Sequence, residues 1–141
     1  ARFVESLPEQ IAFATVDASF ISLKILLPVV KKWFSPSPLT PLPVGEGHII
    51  ALIKPQFEAG RKDVSRGDGV IRDPEIHRQV LLDVLGFAQR EGFAIRALIK
   101  SPLLGPKGNI EFLVWLNQAA ERGGDDLNSI VEQVLEKSQG S

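Results

Sequence analysis

Asp17, Lys54 and Glu111 each stand where an apolar run meets a polar segment. Lys54 closes Ile49-Ile50-Ala51-Leu52-Ile53 and opens Pro55-Gln56-Phe57-Glu58-Ala59-Gly60. A cation at the carboxyl end of a strand sits where open α/β sheets place their ligands and chemistry. Asp17 closes Ile11 to Val16, and Glu111 stands at the start of a run that continues to Leu116. A lysine flanked by carboxylates can orient or deprotonate a hydroxyl group while the acids hold its ammonium. The same three residues can also form a solvated salt-bridge network, and spacing alone leaves both roles open. Competing chemistries fit less well. His48 and His77 lack a zinc-type spacing, Ser19 and Ser22 sit in no nucleophile elbow, and neither glycine cluster matches a phosphate loop.

The elements that must position this trio can be read along the chain. Ile11 to Val16 has the length and flanks of a buried strand. Ser19 is placed to cap a helix whose Leu23, Leu26, Leu27 and Val30 recur at helical spacing and whose end carries Lys31-Lys32. Residues 35 to 47 hold too many prolines to join a ladder and are expected to form an extended inserted loop. After the strand Ile49 to Ile53, residues 55 to 72 are expected to form a long loop, a candidate for binding on length alone. Asp73 and Pro74 then start a helix that presents Ile76, Val80, Val84 and Phe87 on one face, and Gly92 ends it. His77 falls one residue off that face, which predicts partial exposure.

Phe93 to Ile99 reads as a strand parallel to the previous one, because a helix connects them. Ile110 to Leu116 follows after a short Pro/Gly link and should run antiparallel. The chain ends in an amphipathic helix with Leu127, Ile130 and Val134 on its apolar stripe. Asp17 and Lys54 then end parallel strands on one rim of the sheet, and Glu111, starting an antiparallel strand, joins them. Gln56 and Asn109 could contact a substrate or satisfy loop backbone.

The composition describes a folded globular protein. At 141 residues, 44% hydrophobic and 23% charged, the chain can bury a real core. Sixteen basic residues against 17 acidic ones give a net charge of −1, which excludes the global basic field of many nucleic-acid binders. A polyanion would need a local patch, and Arg61, Lys62, Arg66 and Arg72 outnumber Asp63 and Asp68 in one stretch. Cysteine is absent, excluding disulfides and thiolate metal sites and fitting a reducing, cytoplasmic setting. No metal site is expected. The longest uncharged run is interrupted by prolines and is too short to cross a bilayer.

Four blocks carry a resemblance to a known family: Asp17-Ala18-Ser19-Phe20-Ile21-Ser22-Leu23, Leu52 to Gly60, Gly69-Val70-Ile71-Arg72-Asp73-Pro74, and Ser101-Pro102 with Gly105 to Phe112. Together and in this order the chain resembles the TlyA, or hemolysin A, family of FtsJ-like RNA methyltransferases. That resemblance implies a Rossmann-like fold, here as a partial sheet of three parallel strands plus a final antiparallel strand, flanked by helices. It also implies S-adenosylmethionine as methyl donor and transfer to a ribose 2′-hydroxyl of ribosomal RNA. Asp17, Lys54 and Glu111 match the last three members of the family's Lys-Asp-Lys-Glu catalytic tetrad, with Asp17 also near the cofactor. The first lysine, the Gly-rich cofactor loop and an S4-like RNA-binding domain are expected upstream of Ala1. Residues 1–141 would then be the C-terminal part of one methyltransferase domain, with 35–47 an inserted loop and 118–141 a helical tail. The piece alone is expected to be inactive and to self-associate through its incomplete sheet. A non-catalytic RNA- or ribosome-binding module is the alternative reading, and a pore-forming hemolysin the least supported one.

Overall fold

The computed structural model describes residues 7–8, 11–34, 47–60, 69–118 and 126–139. The expected Pro-rich insertion lies almost wholly outside these residues, as do Arg61, Lys62 and Arg66.

The described elements run β1 (Phe13–Val16), α1 (Leu23–Trp33), β2 (His48–Ile53), α2 (Pro55–Glu58), α3 (Pro74–Arg90), β3 (Phe93–Lys100), a 3-10 turn (Pro106–Gly108), β4 (Phe112–Gln118) and α4 (Leu127–Gln139). The sheet order is β1-β2-β4-β3. β1 is parallel to β2, while β4 is antiparallel to both β2 and β3. The three parallel-running strands and the antiparallel last strand therefore match the sequence expectation. What sequence did not place is β4 itself, which inserts between β2 and β3 and keeps those two parallel strands from pairing.

Alternation in β2 sends Ile49, Ala51 and Ile53 into the core. In α1 the buried set Leu23, Leu26, Leu27 and Val30 forms one stripe, and α3 buries Val80, Leu81, Val84, Leu85 and Ala88. These residues other than Leu26, with Phe112, Val114 and Leu116 of β4 and Val131, Val134 and Leu135 of α4, make one contiguous cluster. Full burial of each large side chain contributes roughly 1.5–3 kcal/mol before entropy is counted. The other face of the sheet is more open: Phe13, Trp115 and Ile99 are all exposed. Among the described residues no helix is long and apolar enough to cross a membrane.

Several local expectations are corrected. β1 starts at Phe13 and β4 at Phe112, each two residues later than the apolar runs suggest. The cap of α1 is Ser22 rather than Ser19, with the Ser22 hydroxyl accepting from Lys24 N. Ser19 is instead drawn to Lys54. The stretch after Lys54 is not loop throughout, because Pro55 at a first helical position starts the short helix α2. His77 is buried, not partly exposed. By contrast Asp73 caps α3 through a bond from Glu75 N at 2.9 Å, and Gly92, at φ +93°, takes the chain out of that helix as expected.

Candidate functional site

The site forms because three chain segments reach one rim. β1 and β2 run parallel, with Val16 paired to Ala51, so Asp17 follows β1 two residues short of the level of Lys54 and the long lysine side chain reaches it. β4 begins opposite the end of β2, with Ile53 facing Phe112, which places Glu111 just beyond the same edge. The backbone of Glu111 is fixed there by a bond from Ser101 N to its carbonyl at 2.8 Å.

Lys54 is nearly buried, at 9% relative exposure, and its ammonium lies 2.6 Å from Asp17 Oδ1. The Asp17 side chain is 68% exposed. The lysine is thus held by a carboxylate that faces solvent, at the mouth of the sheet. Its Nζ also donates to Ser19 Oγ at 3.2 Å and sits 6.0 Å from the centre of the Phe57 ring. The Phe57 ring centre lies 4.8 Å from that of Phe20, the planes tilted by 54°, and Phe20, at φ +63°, has an almost fully exposed ring. A non-glycine residue in this conformation carries local strain of roughly 1–3 kcal/mol, a cost that recurs at ligand-binding positions.

Glu111 belongs to the rim but has a different partner. Its Oε2 accepts a bond from Gln56 Nε2 at 2.9 Å, and both residues are buried. A Cβ on Gly105 would overlap the same carboxylate, so glycine there leaves the space that Glu111 occupies. Gln56 Oε1 is buried and accepts no hydrogen bond from the described residues. An unmatched buried acceptor costs roughly 1–3 kcal/mol.

The floor of the site is tied together by Asn109. Its Oδ1 accepts from Ile71 N at 3.0 Å, and its Nδ2 donates to Gly69 O and Pro106 O, each at 3.0 Å. Asn109 therefore satisfies loop backbone, while Gln56 fixes a site carboxylate; by sequence the two are indistinguishable. His77 Nε2 lies 2.9 Å from Ile71 O and its ring meets Phe112 edge-on. Burial holds the His77 imidazole below its ordinary pKa, so the neutral ring donates to that carbonyl.

On the other side, Glu58 joins α2 to α1, accepting from Ser22 Oγ at 2.6 Å and Leu23 N at 2.8 Å. Burial raises the Glu58 carboxyl above its usual range, against the opposing effect of those two bonds. Of the cations expected to meet RNA, only Arg72 is described, exposed just ahead of the α3 cap.

An antiparallel strand inserted into a parallel sheet, with Asp, Lys and Glu gathered at the carboxyl rim, defines an α/β domain of the class in which ligands commonly bind at strand ends. The profile of the FtsJ-like methyltransferase family matches residues 2–118, and the chain belongs to that family. Among its relatives is YqxC of Bacillus subtilis, provisionally named an rRNA methyltransferase, 41% identical over 121 residues that make up 86% of this chain and 38% of the relative. The 16S/23S rRNA (cytidine-2′-O)-methyltransferase TlyA of Mycobacterium tuberculosis is 34% identical over 84% of this chain and 40% of its own length. The crystal structure of a protein from Lactococcus lactis, provisionally described as a hemolysin, superposes with a TM-score of 0.79 at 37% identity, covering 94% of this chain and 58% of that one. The chain spans about two-fifths of the length of the curated relatives it matches.

Proposed function

We propose that the full-length protein is an S-adenosylmethionine-dependent methyltransferase that modifies a ribose 2′-hydroxyl of ribosomal RNA. The observation that carries this reading is the buried Lys54 ammonium held 2.6 Å from Asp17 at the strand ends, with Glu111 fixed on the same rim. Family membership and a relative named as an rRNA 2′-O-methyltransferase support it.

The residues present suit the donor. A sulfonium cation calls for an anionic and an aromatic neighbour. The exposed Asp17 carboxylate and the outward Phe20 ring, backed by Phe57, provide both. When bound, S-adenosylmethionine supplies an electrophilic methyl group on sulfur. Lys54 Nζ holds the incoming hydroxyl oxygen in line with that carbon, and orientation of this kind lowers a barrier substantially. The donor would supply the methyl group to that oxygen and depart as the neutral thioether, while the hydroxyl would give up its proton. Lys54 steers the hydroxyl or deprotonates it, the proton otherwise passing to solvent at the exposed Asp17 side of the rim. Asp17 keeps the lysine at the rim, and Glu111, held by Gln56, sets the geometry of the opposite wall.

Lys54→Ala in the full-length enzyme should lower methyl transfer to ribosomal RNA at least about 100-fold, the lower range for removing a positioned acid–base group. Calorimetric S-adenosylmethionine affinity should stay within a few-fold of wild type. Unchanged turnover in a labelled-methyl assay would remove Lys54 from the mechanism. Wild-type protein that binds ribosomal RNA but transfers no methyl group would favour a non-catalytic binding module instead.

A further inference from the structure

A groove of about 480 Å³ runs between α4 and β3, the outermost strand of the sheet among the described residues. It is lined by β3 from Ile95 to Lys100 and, on α4, by Ile130, Gln133, Val134 and Lys137. Arg96, Lys100 and Lys137 give it three cations, and no carboxylate is among its described lining residues. In a chain whose net charge is −1, this is a local positive field.

The Lys100 end of the groove lies toward the rim. Lys100 and Ile53 both face Phe112 in the strand register, so Lys100 begins two strand spacings, about 10 Å, from the end of β2. Lys54 is the next residue after Ile53. A polyanion with one sugar at Lys54 therefore reaches the mouth of the groove within a few nucleotides.

The edge is poorly suited to adding a protein strand. The pairing of β3 with β4 shifts register between Ile95 and Ala97, and Arg96 stands at that irregularity with its Nε donating to Asn117 Oδ1 at 2.8 Å. An irregular, cation-bearing edge resists strand addition, whereas cations beside a shallow, partly apolar wall suit a single-stranded phosphodiester backbone.

We infer that the β3–α4 groove binds single-stranded RNA next to the nucleotide presented to Lys54. This inference rests on the methyltransferase reading for its substrate class. The probe is an unstructured oligoribonucleotide titrated into the full-length protein across a salt series, with wild type compared with Lys100→Gln/Lys137→Gln. Arg96 is left in place because it also holds Asn117. The double variant should bind about tenfold more weakly, and its plot of log affinity against log salt should be shallower by about 1.4, from 0.7 per phosphate contact. Lys100→Arg/Lys137→Arg should restore both values.

Equal affinity and slope in wild type and the glutamine variant would overturn the groove while leaving the methyltransferase reading intact, provided that variant still methylates. The groove is likewise overturned as an RNA site if an acidic peptide, but not RNA, loses affinity in the variant. Wild type that transfers no methyl group sinks the methyltransferase reading instead, and the oligonucleotide titration then still decides the groove.

Discussion

At the scale of residues, the site separates into two pairs rather than one cluster. Asp17 takes the Lys54 ammonium, and Gln56 takes the Glu111 carboxylate. This separation predicts a positioning role for Gln56. Gln56→Leu removes the donor and leaves Glu111 buried without it, a change of roughly 1–3 kcal/mol. The expected result is a kcat lower by about tenfold or more with little change in the KM for S-adenosylmethionine. Gln56→Asn, which keeps an amide, should recover part of the loss; a purely structural role would show only in the unfolding midpoint. Gly105→Ala tests the same wall from the other side. Its new Cβ meets the Glu111 carboxylate, so steady-state kinetics should again show kcat falling more than affinity.

At the scale of elements, the rim depends on how α1 and α2 are tied together. Ser22 is both the cap of α1 and a donor to Glu58 of α2, while Leu23 N donates to the same carboxylate. Ser22→Ala should cost about 1–2 kcal/mol, since it removes a cap and a partner of a partly buried acid. Urea unfolding with an unchanged slope would measure it. The elements also show where sequence signals compete. Ser19 and Ser22 both fit a cap, but only Ser22 stands next to Leu23, where helical geometry begins; Ser19 reaches back to Lys54. Helical phase alone leaves His77 half exposed, yet the chain at Ile71 folds over it and offers a carbonyl at 2.9 Å.

At the scale of the whole molecule, that buried histidine makes stability depend on pH. Its folded pKa lies below the ordinary 6.5, so below that pH the unfolded chain binds more protons than the folded one. The stabilising contribution is present above pH 6.5 and is lost as pH falls through it toward the lower folded value, with a slope of up to about 1.4 kcal/mol per pH unit. His77→Gln, which can still donate to Ile71 O, should flatten the difference between unfolding curves at pH 7.5 and 5.5. The same long-range view explains what could be read in advance. Apolar spacing determined the four strands and the principal helices, the direction of each strand, and therefore that Asp17, Lys54 and Glu111 share a rim, because strand ends and crossover rules depend on local chain chemistry. Tertiary structure decided that β4 lies between β2 and β3, that Glu111 pairs with Gln56 rather than Lys54, and that Arg96, Lys100 and Lys137 meet along one edge. Those outcomes depend on contacts between segments far apart in the chain, whose competing pairings have no distinguishing signature in the order of residues.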